Sequence, residues 1–175
     1  DINEDPNART AINAIVSSAD GNIWVGTAGA ELGVIDPATK KPLHRYRHTG
    51  EGSLSNDVVL SVIEASDRTL WLGTSGDGVC ALDPERATFR RYRNDPAKPN
   101  SFGGDIAQCL IEDASGSIWA GTYQGILNKF DRNSGTWTRL TVSKPGERGT
   151  SQGTSINCLY QDARKNLWIG TSDGL

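Results

Sequence analysis

The tetrapeptide W-x-G-T occurs four times in this chain, as Trp24-Val25-Gly26-Thr27, Trp71-Leu72-Gly73-Thr74, Trp119-Ala120-Gly121-Thr122 and Trp168-Ile169-Gly170-Thr171. Its tryptophans stand 47, 48 and 49 residues apart. A fixed period of that size marks a repeat architecture, in which each repeat is one unit that buries its apolar surface against the next. The flanks repeat in step. Each Trp follows a polar turn and an apolar residue, as in Asp20-Gly21-Asn22-Ile23 and Ser115-Gly116-Ser117-Ile118, and each turn follows a short apolar run such as Val58 to Ile63 or Ile106 to Ile111. Two such runs across a tight polar turn predict a hairpin.

A third run follows W-x-G-T and closes near an Asp, as in Gly33-Val34-Ile35-Asp36 and Gly125 to Asp131. A fourth alternates as an edge strand should: Leu43-His44-Arg45-Tyr46-Arg47, Phe89-Arg90-Arg91-Tyr92-Arg93 and Trp137-Thr138-Arg139-Leu140. Four short strands per repeat is the strand count of a propeller blade, and helical periodicity is missing throughout. The fold class expected is therefore all-β: a β-propeller fragment of about three and a half four-stranded blades forming one segment over 1–175. The blades are expected near 11–48, 56–94 and 105–142, with a partial fourth near 155–175. Polar, Pro- and Gly-rich linkers at Thr49 to Asn56, Asn94 to Gly104 and Ser143 to Thr154 return the chain from one outer strand to the next inner strand. The polar residues 1–11 look unable to complete the fourth blade, so a fragment, or an open arc completed by a second copy, is expected.

The four tryptophans Trp24, Trp71, Trp119 and Trp168 are read as structural anchors, wedges that pack one blade on the next. Ten residues before each lies a small residue, Ala14, Ser61, Cys109 or Cys158, as a crowded inner strand requires. The three cysteines, Cys80, Cys109 and Cys158, are accordingly read as buried packing residues, and the Gly-Thr after each Trp as a turn. The basic residues Lys40, Lys41, Arg45, Arg47, Arg86, Arg90, Arg91 and Arg93 are read as edge charges that keep sheets from adding to one another.

Chemistry is harder to find. With two histidines, His44 and His48, placed together on one outer strand and no C-x-x-C pair, neither a metal site nor a Cys-His or Ser-His-Asp arrangement is expected. No cofactor motif occurs, and a net charge of −3 gives no overall case for a nucleic-acid partner. No apolar run is long enough to cross a membrane as a helix, so membrane attachment is expected only through segments outside this chain. Binding, if it occurs, should use the loops that enter each inner strand and those after W-x-G-T, because they share one end of a propeller. On that face lie Glu31, Asn56, Asp57, Asp77, Asp105, Tyr123 and Gln124, the expected ligand-binding set. Tyr123 stands where other repeats carry Ala28, Ser75 and Ser172, and its flat ring suits a sugar.

These motifs resemble the two-component regulator propeller repeats, whose pattern is roughly S-L-S-x-N, an apolar strand, D-x-x-G-x-L-W-I-G-T, G-L-x-x-Y-D and F-x-x-Y. The matching residues include Ser53-Leu54-Ser55-Asn56-Asp57, Asp113 to Thr122 and Asn166 to Leu175. Asp20 and Asp67 depart from it by lying nearer the Trp. The resemblance implies a periplasmic, non-catalytic sensing propeller of a bacterial membrane-bound signalling protein, whose output is a histidine kinase or a diguanylate cyclase. Its implied ligand is a saccharide or another small molecule. The alternative is a scaffold propeller that binds a protein or pairs with a second copy and takes no small ligand.

Overall fold

The computed structural model describes residues 11–29, 31–50, 52–142 and 154–175. The polar lead-in 1–10 and most of the third linker, 143–153, lie outside the described residues. Among the described residues, fourteen strands make three four-stranded antiparallel meanders and one hairpin. The first sheet is β1 (Ile12–Ser17), β2 (Ile23–Thr27), β3 (Leu32–Asp36) and β4 (Lys41–Tyr46). The second is β5 (Val59–Glu64), β6 (Leu70–Thr74), β7 (Val79–Leu82) and β8 (Phe89–Tyr92). The third is β9 (Ala107–Glu112), β10 (Ile118–Thr122), β11 (Ile126–Asp131) and β12 (Thr136–Thr141), and the hairpin is β13 (Ile156–Gln161) with β14 (Leu167–Thr171). The inner strands β1, β5, β9 and β13 pack side by side in that order, which sets the sheets as successive blades of a propeller arc.

Each W-x-G-T lies inside a second strand, so its Gly-Thr is extended strand and not the turn expected from the sequence. The glycine is needed for close approach. Gly26, Gly73, Gly121 and Gly170 pair with Ala14, Ser61, Cys109 and Cys158, the small residues ten positions before each Trp. A methyl group on Gly73 would run into the Ser61 hydroxyl and the Ala107 carbonyl of the next blade, and one on Gly121 would stand 2.7 Å from Cys109 Sγ. Small residues face small residues here because adjacent blades almost touch near the axis.

Between the first two sheets the core holds Trp24, Leu32, Leu54, Leu72 and Leu82; between the second and third it holds Trp71, Val79, Phe102, Phe130 and Trp137. The wedge reading fits Trp24 and Trp71, which are 2% and 3% exposed, and needs correction for the other two. Trp119 is half-buried, and Trp168 is 45% exposed because no described strand covers its ring. Trp137, on an outer strand and outside the repeat motif, is buried in their place.

Two linker residues carry the interblade contacts that the repeat motif does not. Leu54 and Phe102 are fully buried plugs, and an outer-strand arginine locks the linker holding each. Arg91 donates to the carbonyls of Ser53 and Leu54, and Arg139, at the same strand register, donates to those of Ser101 and Phe102 at 2.9 and 3.2 Å. The edge-charge reading of the basic set is thereby corrected: Arg45 and Arg47 pair with Glu31, Arg86 with Glu64 and Arg93 with Asp77, while Lys40 and Lys41 stay exposed. Charge-assisted bonds to orphan loop carbonyls are worth about 1.5–3 kcal/mol. Arg139→Ala is expected to cost about that much in chemical denaturation, and Arg139→Lys to recover little because a lysine lacks the planar fork. Equal stability of Arg139→Ala and the parent would mean that the linker does not depend on this contact.

The hairpin turns explain the two departing aspartates. Ser18, Ala65, Asp113 and Asp162 open the same backbone turn, each accepting at its carbonyl from the residue three on: Gly21, Arg68, Gly116 and Lys165. In the third and fourth sheets the opening aspartate also accepts from the indole of its Trp, Asp113 from Trp119 at 2.7 Å and Asp162 from Trp168 at 3.0 Å. In the first two sheets the aspartate sits two residues later and caps the turn through the amides of Asn22 and Thr69. The indole nitrogens of Trp24 and Trp71 are consequently buried with no partner among the described residues. Asp67 reaches the next blade instead, where it accepts from Arg132.

The cysteines differ in burial by their place in the arc. Cys80 is buried, Cys109 is half-buried beneath β13, and Cys158, on the last inner strand, is exposed, which corrects the expectation that all three pack in a core. Burial pushes the Cys80 thiol up to about 11 and that of Cys109 up to about 12. A thiol of that pKa carries almost no thiolate at neutral pH. Alkylation of the native protein is therefore expected to label Cys158 alone, read by peptide mass spectrometry, with all three labelled after unfolding; labelling of Cys80 in the native protein would contradict the packing.

Candidate functional site

Two sets of loops meet at one end of the strands, and backbone bonds tie them across blades. Gly29 N–H donates to the Asp57 carbonyl, and Gly76 and Gly78 N–H to that of Asp105 at 3.1 and 2.8 Å. Within a blade, Ser75 N–H donates to the Val58 carbonyl, Tyr123 N–H to that of Ile106 and Ser172 N–H to that of Ser155. The loops after the first two W-x-G-T motifs thus rest on the linker entering the following blade, and those after the last two on the entry of their own, which brings the seven expected residues to one end.

They do not all keep free side chains. Glu31 is 1% exposed, with its carboxylate 3.2 Å from Arg45 Nε and 2.5 Å from Arg47 Nε. It also holds φ at +125°, a conformation costly for a residue with a Cβ, which its two ion pairs keep in place. Glu31 therefore anchors the loop, and its expected position in solvent is corrected. Asn56 turns its side-chain oxygen onto Val58 N–H at 2.8 Å, Asp57 accepts from His48 N–H at 2.7 Å, and Asp77 pairs with Arg93 Nε at 3.2 Å. His48 itself lies beyond the end of β4, so the two histidines do not share a strand as expected. Asp105, Tyr123 and Gln124 are exposed, Tyr123 at 57%.

The site gains residues that lie outside the repeat motif and the seven expected positions. Every inner strand carries a bulge at one register: Asn13, Leu60, Gln108 and Asn157 are skipped by the pairing with the second strand. A bulge leaves one residue outside the ladder and re-aims its side chain. Three of the four are amides. Asn13 Nδ2 donates to the Val59 carbonyl of the next blade at 3.0 Å, and the Ser155 hydroxyl links Gln108 and Asn157 at 2.5 and 2.9 Å. The signal in the sequence was the residue directly before each small one, polar in three repeats out of four.

The chemistry on offer is noncovalent. A phenol ring, amides and an exposed carboxylate, presented by the third sheet and the hairpin after it, supply stacking and hydrogen bonds of both senses. No thiol or hydroxyl there is paired with a histidine base, and among the described residues no three His, Cys, Asp or Glu side chains cluster as metal ligands.

Comparison with known proteins bears on the fold. The family described as the two component regulator propeller matches at residues 8–29, 53–76 and 150–173. No curated protein sequence is significantly similar. Among solved structures, the extracellular domain of a putative hybrid two component system from B. thetaiotaomicron superposes with a TM-score of 0.74 at 21% identity, covering 96% of this chain and 21% of that one. A second such extracellular domain from B. thetaiotaomicron gives 0.73 at 18% identity, covering 95% and 28%. A catalytically inactive virginiamycin B lyase from Staphylococcus aureus, determined with quinupristin, gives 0.69 at 13% identity, covering 94% and 50%. The chain spans between a fifth and a half of these proteins, and at such identities the likeness is one of fold.

Proposed function

The chain carries two-component regulator propeller repeats, and from that premise we propose that it is a non-catalytic ligand-binding segment of an extracytoplasmic sensor. The observation that carries this reading is the end at which the third blade presents Asp105, Tyr123 and Gln124 beside its own bulged amide Gln108 and Asn157 of the hairpin that follows. A ring of hydroxyls suits such a set, because an aromatic face takes its C–H side while amides and carboxylates take its hydroxyls. The ligand class is therefore a saccharide, with the periplasm as the place of binding and a kinase or cyclase elsewhere in the protein as the output. The extracellular setting of the two B. thetaiotaomicron proteins supports the location.

A thermal-shift screen of oligosaccharides tests this reading. A ligand at a hundred times its Kd stabilises the folded state by about 2.7 kcal/mol. Stabilisation by at least one oligosaccharide is expected, lost in Tyr123→Ala and reduced in Gln108→Leu. No stabilisation across the screen would reject the saccharide.

A second reading has its own observation. The first sheet exposes Ile12, Ile15 and Leu43, and the last hairpin exposes Tyr160 and Trp168. These apolar groups favour a homo-oligomer in which copies cover one another's terminal sheets, a scaffold role without a small ligand. Light scattering over micromolar concentrations decides it, since a constant monomer mass would set it aside.

A further inference from the structure

At the opposite end of the strands, the grooves between successive blades are not alike. The turn between the third and fourth strands of each four-stranded sheet holds one residue at left-handed φ: Lys40 at 58°, Arg86 at 61° and Gly135 at 68°. Arg86 fills the groove between the first two sheets. Its guanidinium stands 5.1 Å above the Trp24 ring, donates to the Arg68 carbonyl and pairs with Glu64 at 2.5 Å. Between the second and third sheets the corresponding residue is Gly135, which has no side chain to lay across the rings. Arg132, from the start of the same turn, takes over the polar contacts, donating to the Gly116 carbonyl at 2.7 Å and pairing with Glu112 at 2.8 Å and with Asp67. What remains is an open groove of about 390 Å³ lined by Trp71, Phe89, Tyr92, Phe130, Asp83 and Arg90 among others.

The charges in this groove decide what it accepts. Arg132 is matched by two carboxylates. Asp83 is held within its own turn by the amides of Ala87 and Thr88. Arg90 is exposed, lies 5.1 Å from the Tyr92 ring, and has no carboxylate partner among the described residues. The first groove takes a cation because Glu64 is there to meet it; in the second, the equivalent Glu112 is already paired and the uncommitted charge is positive. The wall residue Trp71 adds a buried indole N–H without an acceptor among the described residues. At the same register Trp119 and Trp168 give theirs to carboxylates.

We propose that the groove between the second and third sheets binds a small ligand carrying a carboxylate on a six-membered ring, the ring against the aromatic floor and the carboxylate on Arg90. The site is separate from the loop face that holds Tyr123 and does not depend on it. Uronic acids and aromatic carboxylates share this chemistry, and the choice of test ligands separates them.

The 175-residue chain would be titrated calorimetrically with galacturonate, glucuronate and benzoate, with galactose, benzyl alcohol and methylguanidinium as controls. Saturable binding of at least one acid is expected: the two uronates alone would identify a sugar acid, benzoate alone an aromatic one. Arg90→Gln should weaken that binding at least about tenfold by removing a charge-assisted contact. Gly135→Arg, tolerated at a φ that Arg86 already adopts, should abolish it by refilling the groove, and Tyr123→Ala should leave it unchanged. The proposal is overturned if no acid binds saturably, if neutral rings or methylguanidinium bind as well as the acids, or if Arg90→Gln binds as the parent does. Circular dichroism of each variant confirms that a loss reflects the groove and not the fold.

Discussion

Replacing Phe102 by alanine is expected to cost about 3–5 kcal/mol, the range for truncating a buried aromatic side chain. The ring is fully buried between the second and third sheets, packed edge-on at 5.0 Å from Trp137 and against the core that contains Trp71 and Phe130. It comes from a linker, so its loss also frees the segment whose carbonyls Arg139 holds. In a chain of stacked blades the damage falls on one interface. Differential scanning calorimetry should show Tm lowered by roughly 10 °C, at about 2–4 °C per kcal/mol for a protein of this size. A fall of no more than about 2 °C would show that the linker packs loosely and that the blades hold together through the tryptophans alone.

Gly73→Ala is the second large effect, and it acts by overfilling. The added methyl would meet the Ser61 side chain within its own sheet and the Ala107 carbonyl of the neighbouring inner strand. A flexible side chain can yield, but a backbone carbonyl moves only with its strand, so the second and third blades must part. Overpacking costs typically about 1–3 kcal/mol and more where backbone has to shift; the upper end is expected here. Gly21→Ala is the control, since nothing lies within 4 Å of its added methyl and only its φ of +87° resists. Urea denaturation should rank Gly73→Ala well below Gly21→Ala. The reverse order would mean that the inner strands are less crowded than the register of Ser61 with Gly73 indicates.

The displaced aspartates illustrate a trade written into single positions. Where the aspartate opens the turn, as at Asp113, burial works to raise its carboxyl, but hydrogen bonds from Ser115, Trp119 and Ser117 hold it below the usual value. Where it stands two residues later, as at Asp67, the turn is still capped but the indole goes unpaired and an interblade contact to Arg132 appears. One arrangement satisfies the blade itself, the other joins it to its neighbour.

The strand count, the hairpins and the common end for the incoming loops were readable in the chain because each follows from a local period. Trp24, Trp71, Trp119 and Trp168 recur with their turns, and a two-residue alternation fixes which side of a strand is apolar. The same period misled where burial depends on position in the arc: identical motifs put Trp71 in a core and Trp168 at the surface, and identical registers half-bury Cys109 and expose Cys158. Glu31 read as a solvent-facing acid because nothing local announces Arg45 and Arg47, which lie across the sheet.

The repeat, the all-β meander and the end shared by the incoming loops and those after W-x-G-T are written in the chain alone, because turn chemistry and side-chain alternation act over a few residues. Only the tertiary structure decided which small residues face the Gly of W-x-G-T, which amides the bulges turn out of the ladder, and which groove is filled. Those outcomes depend on distances between blades, where Arg86 and Gly135 hold equivalent turns and only one of them has a side chain that reaches the neighbouring ring.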